Sequence, residues 1–299
     1  MNNRKLQFKF LIAATILATG LGAYYPLSAA ETDVAALAKN THFHGLAVDM
    51  KDPSRLYLAT HHGLHVVAPD GKAVRVSDTG DDFMGFTPHP TDPAILYASG
   101  HPTNGGNLGF ITSSDGGKSW SKLADGVGGP VDFHQMDVSN ANPNFIVGIS
   151  GGLQVSKDGG RSWKMVGPAP KGTIDLAASA SDANTILAAT QRGIVRSTDG
   201  GRSWNAAHLI LRPTTMIESV ADGTLYAFQI GTGLIRTTEP NWNWQLVSND
   251  FGDAYILHLA VDPSDKQKLY VVTFDSKTRA QAILASRDGG TTWTKFGGV

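Results

Sequence analysis

The chain has 299 residues, a formal charge of −1, 41% hydrophobic residues and 17% charged ones. That is a globular composition with ample core material, and its charge is too even for a nucleic-acid surface or one that adheres to anionic lipid. It holds no cysteine, which excludes disulfides, thiolate catalysis and thiolate metal sites.

Along the chain, Arg4, Lys5 and Lys9 precede an apolar run, FLIAATILATGLGAYY (10–25), and LSAAET follows. A positive start, a short apolar stretch and small residues before a cut describe a secretory signal peptide. The predicted cleavage follows Ala30, so residues 1–30 are the signal and residues 31–41 a lead-in. The apolar run is a little short to span a bilayer, so no stable membrane span is expected after cleavage. Losing three cations takes the formal charge from −1 to −4. The mature chain is expected to be extracytoplasmic, either periplasmic or secreted.

From residue 42 onward a repeat organises the sequence. Four octapeptides are nearly identical: SSDGGKSW (113–120), SKDGGRSW (156–163), STDGGRSW (197–204) and SRDGGTTW (286–293). TTEPNWNW (237–244) and VAPDGKAV (67–74) keep fragments of the pattern. The six starts are separated by 46, 43, 41, 40 and 49 residues, a period near that of a four-stranded propeller blade. Asp115, Asp158, Asp199 and Asp288 can accept backbone N–H groups of their own turns, and the glycines supply positive φ. Trp120, Trp163, Trp204 and Trp293 then open the fourth strand and pack beneath the hairpin.

These octapeptides resemble Asp-boxes, also called BNR repeats, as found in sialidases, the sortilin luminal domain and the propeller that assists photosystem II assembly. The resemblance covers roughly residues 42 to 297 and implies a bacterial, glycosyl hydrolase-like exported propeller. In those families the boxes are turn staples away from the working face, so it assigns the four Asp–Trp pairs a structural role. Short apolar strands between the boxes repeat with the same grammar: HGLAVD, MGFTPHP, FHQMDVS, IDLAASASD and LHLAVDP. The expected fold is all-β, a single six-bladed β-propeller over 42–299 with four strands, A to D, per blade. No swapped closing strand is expected, although residues 31–40 are placed to help close the ring.

Eight of the ten histidines lie between residues 42 and 134. In a propeller, the start of strand A and the B–C loop share one face. That face is assigned His42 and His44 (strand A, blade 1), His61 and His62 (its B–C turn), His101 (the long B–C loop of blade 2) and His134 (strand A, blade 3). Aligning FHGLAVD, FMGFTPH and FHQMDVS makes His44, Met84 and His134 equivalent. Imidazole with thioether points to copper. Zinc is the next candidate, from His62, His101 and neighbouring Asp82 or Asp132. His65, His89, His208 and His258 are read as ordinary hydrogen-bonded residues.

Three functional classes remain open. The first is an exported binding platform whose His/Met-rich funnel takes a copper or zinc ion, a small ligand or an envelope protein partner. The second is a glycoside hydrolase acting on an extracellular glycan. The sialidase resemblance would then ask for arginines, a tyrosine and carboxylates, for which Arg192, Arg212, Tyr255, Glu218, Asp82, Asp132 and Asp175 are candidates. The Arg-Ile-Pro signature of that family is absent, and LRPT (211–214) is a weak echo. The third class is a metal-dependent hydrolase or oxidase using the same histidines. No nucleic-acid partner is expected.

Overall fold

The structure is a computed structural model and describes residues 31–298; the signal-peptide reading falls on residues 1–30, outside them. Six antiparallel sheets succeed one another along the chain. Blade 1 comprises Phe43–Val48, Leu56–Thr60, Gly63–Val67 and Lys72–Arg75. Blade 2 comprises Asp82–Pro88, Leu96–His101, Phe110–Ser113 and Ser121–Ala124. Blade 3 is built from Gln135–Val138, Ile146–Ile149, Leu153–Ser156 and Lys164–Gly167. Blade 4 follows with Thr173–Ala178, Ile186–Thr190, Gly193–Ser197 and Asn205–Ala206. Blade 5 has Thr214–Ser219, Thr224–Gln229, Gly233–Thr238 and Gln245–Ser248. Blade 6 ends the set with Ala254–Val261, Leu269–Asp275, Gln281–Ser286 and Thr294–Lys295. The fold is the six-bladed β-propeller expected from the repeat.

The core lies between blades. Six apolar clusters each join two neighbours, and the one made by Phe43, Leu46, Leu58, Ala260, Val272 and Ile283 joins blade 6 to blade 1. A sheet with both faces buried this way cannot be stable alone, so the ring folds as a unit. The Gln281 side chain reinforces the closure: its Oε1 accepts the Phe43 N–H at 3.0 Å and its Nε2 donates to the Thr41 carbonyl at 3.3 Å. The lead-in adds to blade 1 from outside, as Thr32–Asp33 pairs with the outer strand Lys72–Arg75.

The octapeptide turns act as local staples. In blade 3 the Ser156 hydroxyl donates to Asp158 Oδ1 and accepts the Gly160 N–H, while the other box hydroxyl, Ser162, donates to Asp158 Oδ2. The Trp163 indole N–H then donates to the Gly160 carbonyl at 3.1 Å. The same Trp bond recurs at Trp120, Trp204 and Trp293. These hydrogen bonds hold Asp115, Asp158 and Asp288 down at about 2, led in each case by the second hydroxyl of the box. Asp199 moves in the same direction for the same cause. Gly160 sits at φ +87°, and a Cβ there would overlap the Phe110 ring of the preceding blade, so the turn both needs glycine and packs the blades together.

Candidate functional site

The end of the channel opposite the octapeptide turns is built from strand-A starts and B–C turns. Strand A carries a β-bulge near its start in blades 1, 4, 5 and 6, and the register places His44, Ile174, Thr215 and Leu257 at the unpaired position. A bulge leaves one residue outside the ladder and re-aims its side chain. The residue before His44 is Phe43, 2% exposed, and its counterparts Phe83 and Phe133 are fully buried. A buried phenyl ring therefore anchors each of the three His- and Asp-bearing strands. Phe133 is fixed further by Ser99, whose hydroxyl accepts its N–H and donates to the Val131 carbonyl.

On this frame two groups of side chains converge. His44, His61 and Asp82 form one, and His101, Asp132 and His134 the other, with the ligand atoms of each within 4.8 Å of one another. In the first, His61 Nδ1 lies 2.7 Å from Asp82 Oδ2, and His44 Nε2 lies 3.1 and 3.2 Å from the two ring nitrogens of His61. Burial pushes His44 down to about 3, and the neighbouring His61 adds to the effect. In the second, His134 Nε2 and His101 Nε2 approach the same oxygen, Asp132 Oδ2, at 2.6 and 3.0 Å. The His101 Nδ1–H donates to the Gly106 carbonyl at 2.9 Å, and this bond leads the upward shift of His101.

The other predicted residues are distributed around these groups. His42 is exposed and edge-on to His61, with centroids 5.5 Å apart, whereas His62 is exposed beside it in the turn. Met84 is buried in strand A of blade 2, 7% exposed, opposite Ser99. His44 and His134 thus join different groups instead of ringing the mouth with Met84. The loop after His101 is held over blade 2 by the Thr103 N–H, which donates to Asp81 Oδ1, and by Leu108 N–H, which donates to the Gly100 carbonyl. His89 lies at the opposite end, where its Nδ1 accepts the N–H groups of Thr91 and Asp92. His258 Nε2 contacts the Phe43 carbonyl at 3.3 Å across the ring closure.

Deeper in the channel are three more carboxylates. Asp137 accepts the Val138 and Ala178 N–H groups, and Asp175 accepts those of Leu176 and Ile217, so each ties one strand A to the next. Burial pushes Asp137 up to about 7 and Asp175 up to about 8, and it raises Glu218 well above its ordinary value. The cavity all three line measures about 80 Å³, and a second one that Asp137 and Glu218 also line measures about 200 Å³, both below the ~300 Å³ at which organic-ligand pockets begin. The candidates Arg192, Arg212 and Tyr255 line neither. Arg212 donates instead to the Gly231 carbonyl, and Tyr255 packs on Phe274. A larger groove of about 620 Å³ runs between blades 5 and 6 past Asp222, Tyr226, Arg236 and Lys266, and its lining contains no histidine.

Asp82 and Asp132, the neighbouring carboxylates of the zinc expectation, meet the histidines because the ring brings blades 1, 2 and 3 side by side. The sequence signal was local: each immediately precedes the buried Phe of its strand, in DDFMGF and VDFHQM. Among the described residues no helix is long and apolar enough to cross a membrane.

No family model matches the chain. It is 30% identical to a xyloglucanase from a Paenibacillus species, in an alignment covering 84% of this chain and 26% of that protein. The fold is similar to a GH74 enzyme from Niastella koreensis, with a TM-score of 0.62 and 17% identity, covering 85% of this chain and 45% of that one. A GH74 xyloglucanase from Xanthomonas campestris gives a TM-score of 0.56 and 19% identity, with the same coverage of 85% and 45%. The chain therefore spans about a quarter of the length of the xyloglucanase it matches in sequence, and under half of each matched structure. The architecture is that of a six-bladed, glycosyl hydrolase-like propeller.

Proposed function

We propose that this chain is an exported propeller of the Asp-box type that acts on a polysaccharide of the β-glucan class in the manner of a glycoside hydrolase. The observation that carries this reading is the 30% identity to a xyloglucanase along 84% of the chain. The working face is the His/Asp mouth of blades 1 to 3. Asp82 and Asp132 are the carboxylates set among its histidines, whereas Asp137, Asp175 and Glu218 line a cavity too small for a sugar. Glycosidic cleavage needs two carboxyl groups flanking the bond, and these two are assigned that role. The test is release of new reducing ends from xyloglucan and related β-glucans by the full chain. Asp82→Asn and Asp132→Asn are each expected to slow release by ~10²-fold or more. No product from any glycan with the unsubstituted chain overturns this reading.

A second reading rests on a different observation, the convergence of six imidazole and carboxylate ligands at the same mouth. Here the propeller is a platform for a transition-metal ion. Two imidazoles with one carboxylate suit zinc, or iron(II) in a facial arrangement, better than they suit copper(I), which asks for sulfur. Metal analysis of the chain purified from its host is expected to find stoichiometric zinc, iron or copper. A chain that neither carries nor takes up any of them refutes the platform reading and leaves the glycan reading to its own assay.

A further inference from the structure

We infer that the mouth holds two divalent transition-metal ions, one in each His/Asp triad, side by side on blades 1 to 3. This rests on the metal reading above and goes beyond it in stoichiometry and in assigning the ligands. The triad of His44, His61 and Asp82 takes one ion, and the triad of His101, Asp132 and His134 takes the other.

Asp82 Oδ1 and Asp132 Oδ1 are both buried and have no hydrogen-bond partner. A buried carboxylate oxygen without a donor costs ~1–3 kcal/mol or more; Glu239 and Asp262 carry the same deficit elsewhere, but among the described residues only in the two triads does it sit beside two imidazoles. Both oxygens belong to carboxylates whose other oxygen already faces imidazole nitrogen. A cation bound at the triad removes the deficit at once.

Ring nitrogens in both triads also face into the groups. His101 Nδ1–H donates to the Gly106 carbonyl, so in the neutral ring Nε2 presents a lone pair. That nitrogen lies 3.0 Å from Asp132 Oδ2, a spacing that a proton or a metal ion between them satisfies. A backbone carbonyl that fixes the tautomer of a histidine and frees its other nitrogen is the usual support of a metal ligand. In the first triad His44 packs edge-on against His61, with its Nε2 3.2 Å from His61 Nδ1, and that Nδ1 lies 2.7 Å from Asp82 Oδ2, so one nitrogen of each ring and a carboxylate oxygen converge. Histidines elsewhere show no such convergence: His89 Nδ1 has two backbone donors, and His258 has the Phe43 carbonyl.

The two triads are separate but adjacent. The six ligand atoms fall into two groups of three. Asp82 of one group and His101 of the other are direct partners across the A–B ladder of blade 2, which sets their Cα atoms ~4.5–5.5 Å apart. Each ion would have three protein ligands, which leaves a coordination position for water or a small oxyanion. The buried rings of Phe43, Phe83 and Phe133 hold the ligand-bearing strands rigid, as a site of fixed geometry requires.

The experiment uses the full chain, stripped with chelator and titrated with Zn²⁺ by calorimetry and with Co²⁺ by visible absorption. Two ions per chain are expected. His61→Ala and His134→Ala should each retain one, their combination none, and His89→Ala both. Circular dichroism checks that each variant is folded, and Asp82→Asn or Asp132→Asn replaces any that is not. One ion in the unsubstituted chain overturns the two-site inference but leaves the single-metal reading standing. No ion overturns both. Loss of both ions from either single variant also overturns it, by showing one shared cluster.

Discussion

The four octapeptide aspartates and the two aspartates of the mouth are satisfied in opposite ways. At the turn end, Asp158 receives two hydroxyls and the Ser162 backbone N–H, and its three counterparts are satisfied by the same pattern. At the mouth, Asp82 and Asp132 each keep one buried oxygen without a donor, and imidazoles instead of backbone amides surround them. A carboxylate whose hydrogen bonds are complete within its own turn serves the fold, and one left incomplete is available to a ligand. The difference also predicts that substitutions at the two ends will trade stability and binding in opposite directions.

The largest effect should come from the ring that supports the mouth. Phe133 is fully buried between blades 2 and 3 and packs on Trp163 at 4.7 Å. Phe133→Ala removes that contact and leaves a cavity, so unfolding in denaturant should show a loss of ~3–5 kcal/mol. The sharper comparison pairs Ser156→Ala with Asp82→Asn. Removing the Ser156 hydroxyl orphans the buried Gly160 N–H and is expected to cost ~1–3 kcal/mol. Asp82→Asn should leave the metal-free chain as stable as before or more stable, because it removes the charge of a partly buried carboxylate that lacks a full set of donors. Equal losses in the two variants would remove the distinction between the ends.

The period of about forty residues and the four octapeptides made the propeller and its blade count legible, because turn chemistry is local and repeats. The placement of His44, His61, His101 and His134 on one face was legible too, since strand direction alternates through every blade. The bulges that leave His44 and Leu257 outside the ladder were not. One extra residue at a strand end does not disturb the apolar alternation that marks a strand. Nor was the split into two triads readable, since it depends on which side chains of neighbouring blades meet after the ring closes. Met84 illustrates the limit: alignment made it equivalent to His44 and His134, yet it is buried beside Phe83 with the core. The outer strand Thr32–Asp33 is two residues long, too short to carry any pattern.

The smallest expected effect is the pH dependence contributed by one buried histidine of the scaffold. Burial lowers His65, away from the triads on strand C of blade 1, to about 4, opposed by a hydrogen bond to the Gly63 backbone. Its folded value lies below the unfolded 6.5, so the unfolded chain binds the proton first on acidification. Stability is therefore complete above 6.5 and is lost as the pH falls toward 4. Between about pH 7 and about pH 5.5 this single residue should cost ~1 kcal/mol. Buried His258, lowered to about 4 by the same cause, adds a loss of the same sign. The channel acids act in reverse and more strongly: Asp175, raised to about 8 from 3.8 by burial, contributes stability that is lost as the pH rises from about 4 to about 8. Denaturant midpoints across the range should show His65→Gln flattening the acid limb and Asp175→Asn flattening the alkaline one. If His65→Gln leaves the acid limb as steep as before, the cost of burying this imidazole has been misassigned, and the acid sensitivity belongs to the mouth instead of the scaffold.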